Sequence, residues 1–227
     1  GALGKIMRFT GTYDQDQLLD ESLPITWRHI NKLAGCGALG DLGSHLLSIS
    51  QFIMGDITKV NAVATTVFPK RPKSAGSTEM VDVENEDIMT FMAEYANGAI
   101  GQIACSRVAT GRKNYLTYEI QGTKGSVRYD LERMGEVQVY FQSDNERDRG
   151  FRTVLLNPLM KGYSAFQPAG GISIAYNDMK ILEVHALFDA ITNGADYVTD
   201  FEFGYKIDRT VAAVIESSKT HEWVDVK

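Results

Sequence analysis

Gly35-Cys36-Gly37-Ala38-Leu39-Gly40-Asp41-Leu42-Gly43-Ser44-His45, running on to Met54, brings small residues, a carboxylate and an imidazole together where a helix should begin. Leu39, Leu42, Leu46, Ile49 and Ile53 recur at spacings of three and four, which predicts an amphipathic helix. Asp41 and His45 are four apart, so they share one helical face, one turn above the other. That face is offset from the Leu/Ile stripe and points the pair into a cleft. Gly40 and Gly43 leave room for a ligand to approach the backbone. Two plainer roles stand beside this one: Asp41 as an N-cap, and His45 as a hydrogen-bonded histidine on a partly buried helix. No third ligand type lies nearby, so no metal site is expected.

The same stretch contains G-x-G-x-x-G at Gly35, Gly37 and Gly40. A dinucleotide fingerprint needs a strand before it and an acidic residue at the end of the next strand. Here Trp27 to Ala34 is not strand-like, and Asp56 precedes the next strand. The match is a chance one.

Upstream, Lys5 to Thr12 alternates apolar and polar and predicts a strand. A polar loop with Tyr13 and Gln15 follows, then Pro24-Ile25-Thr26-Trp27-Arg28, where an aromatic beside an arginine can clamp a flat or anionic ligand. The plainer role has Trp27 plugging the core edge and Arg28 solvated. Downstream, Ile57 to Phe68 is a β-branched strand. Residues 69–82, rich in Lys, Pro, Ser and Gly, predict a surface excursion, with Lys70, Arg71 and Lys73 as a solvated basic cluster. Strands follow at Asp87–Tyr95, Ala99–Val108, Tyr115–Gln121, Ser126–Asp130 and Glu136–Phe141, with another at Phe151–Leu156. Asn97-Gly98 joins the first two as a tight hairpin. Asn157 to Ser173 is a loop. Helices are predicted at Ile174–Asn193, carrying His185, and Phe201–Ser218, with Trp223 to Val226 extended. Strands without βαβ alternation predict a meandering, mainly antiparallel sheet.

The chain has 227 residues, 44% hydrophobic and 23% charged, enough for a sizeable core. Its net charge of -6 argues against a nucleic-acid surface. Cys36 and Cys105 give no disulfide framework and fit a reducing compartment. No apolar run reaches membrane-spanning length and no leader is visible, so the default expectation is the cytoplasm, with no membrane partner.

Taken together, these segments resemble the C-terminal domain of the glucose–fructose oxidoreductase / inositol dehydrogenase / rhizopine-catabolism (Gfo/Idh/MocA) family over residues 1–227. The resemblance rests on Gly4-Lys5-Ile6, on Trp27-Arg28 before the glycine-rich Asp41…His45 element, and on Val83-Glu84-Asn85-Glu86-Asp87. It continues in Ser106 to Gly111, in Glu119 to Gly125, and in Ser217-Ser218 with Trp223 to Val226. It implies an α+β substrate-binding and oligomerisation domain, with a large open, mainly antiparallel (mixed) sheet and helices packed on one face. An N-terminal Rossmann domain of roughly 120 residues, with its catalytic lysine, would be absent from this chain.

The implied function is NAD- or NADP-dependent hydride transfer to or from a sugar, polyol or related cyclic alcohol. His45 would be the acid/base, suited by an imidazole's titration near neutral pH, and Asp41 would tune or orient it. Tyr13, Gln15, Arg107, Asn114 and Asn177 would contact substrate, and Trp27 and Arg28 would sit by the nicotinamide. The fragment alone is expected to be inactive and to bind no dinucleotide. A homodimer or homotetramer through the open sheet face is expected. The alternative is a non-catalytic ligand-binding or regulatory module on the same scaffold.

Overall fold

The computed structural model describes residues 1–160 and 162–227. The strands in chain order are β1 (Ile6–Asp14), β2 (Ile57–Thr65), β3 (Lys70–Pro72), β4 (Met80–Asp82), β5 (Ile88–Tyr95) and β6 (Ile100–Ser106). They continue as β7 (Tyr115–Gly122), β8 (Gly125–Asp130), β9 (Glu136–Phe141), β10 (Arg152–Leu155) and β11 (Val224–Asp225). The helices are α1 (Asn31–Ala34), α2 (Ser44–Met54), α3 (Tyr176–Asn193) and α4 (Phe201–Thr220). A nine-stranded sheet runs β10-β9-β8-β7-β1-β6-β5-β2-β11, and β3 and β4 form a separate hairpin. Within the sheet β1 pairs in parallel with β6 and antiparallel with β7. The fold is therefore the expected α+β architecture with a large mixed sheet.

Alternation along the strands sets the layers. Phe9, Gly11 and Tyr13 of β1 are buried, as are Met89, Phe91, Ala93 and Tyr95 of β5. This face lies under α2 and α4. Leu46 and Leu47 of α2 and Ile207 and Val214 of α4 share one apolar cluster with Phe9, Val60, Phe91 and Ile103. Each such side chain contributes about 1.5–3 kcal/mol when fully buried. The other face is open, and Val63, Met92 and Ile100 stand half or more exposed on it.

Two details of the sequence reading change. The five residues Leu39–Gly43 form a π-helical turn ahead of α2, closed by the Ser44 N–H on the Leu39 carbonyl. The wider turn re-phases the helix. Leu47, Ser50, Gln51 and Met54 are buried, and Ile53, expected in the stripe, is exposed. Residues 69–82 hold the β3–β4 hairpin, and Arg71 is fully buried instead of solvated. Its guanidinium donates to the carbonyls of Asp20, at 2.7 Å, and Leu18. Lys70 and Lys73 do stay exposed, paired with Asp82 and Glu79. Among the described residues, no helix is long and apolar enough to cross a membrane.

Candidate active site

The start of the Asp41…His45 helix is held by the segment Val83 to Asp87. Both Glu86 carboxylate oxygens accept from the Gly37 N–H at 2.9 Å, and one also accepts from the Leu39 N–H at 2.9 Å. The Glu86 carbonyl accepts from the Ala38 N–H at 3.0 Å. A carboxylate here satisfies amides that a helix start leaves free, and its charge complements the helix dipole. The backbones approach so closely that a Cβ at Gly37 would overlap the Glu86 carbonyl. Glu86 thus does what an N-capping Asp41 would have done. The Asp41 N–H instead bonds the Gly37 carbonyl within the first turn.

The space beside the other two glycines is also taken by protein. A Cβ at Gly40 would lie 2.7 Å from Cys36 Sγ, and one at Gly43 would lie 2.9 Å from a Leu39 methyl. These glycines let the π turn pack tightly. Gly43 is buried and does not open the backbone to a ligand, as the spacing suggested, whereas Gly40 is half-buried and reaches the cleft.

Packing leaves the Asp41 and His45 side chains on the accessible side: Asp41 is half-buried and His45 exposed. Asp41 Oδ2 lies 3.5 Å from Arg28 Nε. Neither atom has a hydrogen-bond partner, though both are themselves buried. The Arg28 guanidinium also stacks over the Trp27 ring at 4.6 Å. Trp27 is 53% exposed, so it does not plug the core edge. Trp27, Arg28, Cys36, Gly37, Gly40 and Asp41 line a cleft of about 210 Å3 with Arg107 behind them. Among the described residues, no hydrogen bond joins Asp41 to His45.

Tyr13 at the end of β1 presents its ring to His45 edge to face, with centroids 5.8 Å apart. Its hydroxyl donates to Asn114 Oδ1 at 2.7 Å, and Gln15 Nε2 donates to the same oxygen at 3.0 Å. Burial raises the Tyr13 pKa, opposed by the Gln15 hydrogen bond and helped by nearby Tyr176 and Asp41, so the hydroxyl stays protonated. Glu132 fixes Asn114 by accepting its backbone N–H at 3.0 Å. Tyr13, Gln15, Asn114 and His45 therefore form one polar group, although Asn114 is a hundred residues from the strand it meets.

One expected substrate contact falls elsewhere. Arg107 has no exposed surface and pairs with Asp87, also fully buried, at 2.8 Å. Its remaining donors hold the carbonyls of Arg28 and Asn85. It scaffolds the loop that carries Arg28 and is not free to reach a substrate. Asn177 sits exposed on the first turn of α3, beside Tyr176. His29, which the sequence reading passed over, is fully buried behind Arg28. Its Nδ1 accepts from the Thr26 N–H at 3.0 Å. Burial and the nearby Arg107 and Arg71 lower its pKa from 6.5 to about 4, so it is neutral at pH 7. The sequence quoted Val83 to Asp87 as a motif, but residue types alone could not show that Glu86 caps the helix. Among the described residues, no cluster of three or more His, Cys, Asp or Glu could hold a metal.

An open mixed sheet with this polar group at one end defines an α+β domain, distinct from a doubly wound nucleotide-binding fold. Residues 1–128 match the sequence profile described as the GFO/IDH/MocA C-terminal domain, and the chain belongs to that family. It is similar to levoglucosan dehydrogenase of Pseudarthrobacter phenanthrenivorans, 39% identical over a 239-residue alignment that covers all of this chain and 61% of that protein. The chain thus spans about three fifths of that relative's length. The solved levoglucosan dehydrogenase complex with NADH and levoglucosan superposes with a TM-score of 0.94 at 39% identity, covering 100% of this chain and 60% of the other. An NAD binding oxidoreductase from Klebsiella pneumoniae gives 0.95, again at 39% identity with coverage of 100% and 60%.

Proposed function

We propose that residues 1–227 form the substrate-side domain of an NAD(P)-dependent dehydrogenase acting on a sugar, polyol or related cyclic alcohol. The observation that carries this is the exposed His45 imidazole, set against Tyr13 and one turn from Asp41. Relatives that bind NADH and act on levoglucosan, or that are named D-apiose dehydrogenase (Rhizobium rhizogenes), support the substrate class.

Oxidising a carbinol removes a proton from oxygen and a hydride from carbon. His45 takes the oxygen's proton, and returns it in the reverse direction. Asp41, one helical turn away and held toward Arg28, is the carboxylate that orients the imidazole. Tyr13, Gln15 and Asn114 offer a hydroxyl and two amides beside His45, suited to substrate hydroxyl groups. By family resemblance, a lysine in a preceding domain shares the substrate oxygen.

The residues present fit the nicotinamide end of the cofactor. Arg28 Nε and Asp41 Oδ2 are buried polar atoms lacking hydrogen bonds, and exposed Trp27 gives a flat wall beside them. Nicotinamide, when bound, takes or gives the hydride. Trp27 and Arg28 border its position and exclude water from it. The rest of the dinucleotide belongs to the preceding domain.

The open sheet face, with Val63, Met92 and Ile100 exposed, pairs two subunits into a dimer or tetramer. Free Cys36 and Cys105 fit a reducing cytoplasm.

The test joins this chain to its upstream coding sequence and assays NAD- and NADP-linked oxidation of a panel of anhydrosugars, sugars and polyols. Turnover of one panel member, lost on His45→Ala, is the expected result. Ligand binding without turnover across the whole panel would favour the non-catalytic module. Light scattering should give a dimer or tetramer, and a monomer would overturn the pairing.

A further inference from the structure

We propose that the outer face of α3 is an interdomain surface that docks the nucleotide-binding domain of the longer polypeptide. This rests on the reading above that such a domain precedes the chain. An 18-residue helix packed only on a sheet domain would bury one stripe and show a polar back. α3 has no buried residue and is apolar on both sides. Met179 and Leu182 are half-buried on the inner side. Val184, Phe188 and Ile191, at spacings of four and three, are 49%, 61% and 70% exposed on the outer side. A helix with apolar residues on two opposite sides and charges only between them has two faces to cover, and soluble proteins rarely leave such an apolar face in water.

Position identifies the occupant. The helix begins at Tyr176, three residues after Ser173, which packs against Gly135; Gly135 follows Glu132, which holds Asn114, the partner of Tyr13, and Tyr13 abuts His45. The exposed face therefore starts beside the proton-transfer group and leads away from it. A domain that presents a nicotinamide to His45 has to sit at this end. Tyr13 shares the helix-covered side of β1 with Phe9 and Gly11, so α3 starts on that side. The open sheet face, where a second copy would pair, is the opposite one. The chain also spans only 61% of the curated relative, so a body large enough to cover α3 is available in that protein.

The experiment is hydrogen exchange across residues 178–193, in the 227-residue chain and in the longer polypeptide. The expected result is exchange at least tenfold slower in the longer polypeptide, unchanged by dilution. Val184→Glu with Phe188→Glu should remove that protection and raise KM for NAD severalfold. In the 227-residue chain the same pair should leave the urea midpoint unmoved. Equal exchange in the two proteins, where calorimetry shows that the longer one binds NAD, overturns the docking alone. Protection in the 227-residue chain that grows with concentration overturns it in favour of a second copy. A longer polypeptide that binds no dinucleotide overturns both this inference and the functional reading beneath it.

Discussion

The Tyr13 ring meets the His45 imidazole edge to face, with centroids 5.8 Å apart and planes at 67°. One residue ends the central strand β1 and the other opens α2, so the contact fixes the imidazole relative to the sheet. His45→Ala in the longer enzyme is expected to lower kcat by about 10²–10⁴-fold, the usual worth of a general acid–base, with little change in thermal midpoint because the side chain is exposed. Tyr13→Phe keeps the ring and loses the bond to Asn114, so it should raise KM more than it lowers kcat. Steady-state kinetics of both variants decide the matter, and unchanged turnover in His45→Ala ends the assignment.

Acid should weaken the fold through His29. Its folded pKa of about 4 lies below the 6.5 of an unfolded imidazole. Between those values the unfolded chain binds the proton that the folded one refuses, so stability falls as pH drops from 6.5 to 4 and is fully present above 6.5. The contribution is at most about 3 kcal/mol. Urea midpoints measured across this window should slope less in His29→Gln, which cannot titrate. Parallel slopes would show that other groups govern the acid limb.

The close approach at Gly37 sets a second stability test. Gly37→Ala places a methyl against the Glu86 carbonyl, which is backbone and cannot swing away. The helix start must move off the segment preceding β5, and the variant should lose about 1–3 kcal/mol, typical of overpacking. Gly55→Ala makes a useful control, since open space surrounds that position and only its positive φ opposes the change. Equal losses in the two variants, read from denaturant midpoints, would show that strain at Glu86 is not the cause.

Most of the fold was legible because strand residues alternate over long runs. The range Glu136–Phe141 is recovered whole, and β5 to β8 to within two residues. Strand order was not legible. β1 lies between β6 and β7, whose residues are about a hundred positions away, and no local pattern encodes that neighbour. The site divides the same way. Asp41 and His45 share a face by helical spacing, which sequence displays. That Tyr13, Gln15 and Asn114 meet beside them follows from strand pairing. Arg107 misleads for a simple reason: a conspicuous cation near the end of a predicted strand looks free until its carboxylate partner is seen. The π turn was hidden because its five residues have the same composition as an ordinary helix start.

The thiol of Cys36 should be inert in the folded protein. Burial first, and then the charge of Glu86, raises its pKa to about 11, so little thiolate exists at neutral pH. Cys105 is more deeply buried and shifted further in the same direction. Iodoacetamide at pH 7.5 is expected to label neither cysteine in native protein and both in urea. Mass spectrometry reads the outcome directly, and rapid native labelling of Cys36 would mean that the Gly40 contact opens in solution.

The Asp87–Arg107 pair gives the sharpest structural prediction, because both side chains are wholly removed from water and carry opposite charges 2.8 Å apart. Asp87 also accepts the N–H groups of Val67 and Phe68, while Arg107 gathers the carbonyls of Arg28 and Asn85. Taking both ions out of water is costly, so the pair adds little net stability over an apolar replacement, whereas deleting one partner leaves a buried charge alone. Asp87→Ala should therefore cost about 3–5 kcal/mol. Arg107→Met in the same chain should recover part of that loss, which makes the two changes strongly non-additive. Recovery of stability should not bring recovery of function. Arg28 loses one of the two groups that hold its carbonyl, Asn85 Nδ2 being the other, so the double variant of the longer enzyme should keep a raised KM for the dinucleotide. A double-mutant cycle read by denaturation and by kinetics separates the two effects, and additive stability losses would show that the ions do not depend on one another.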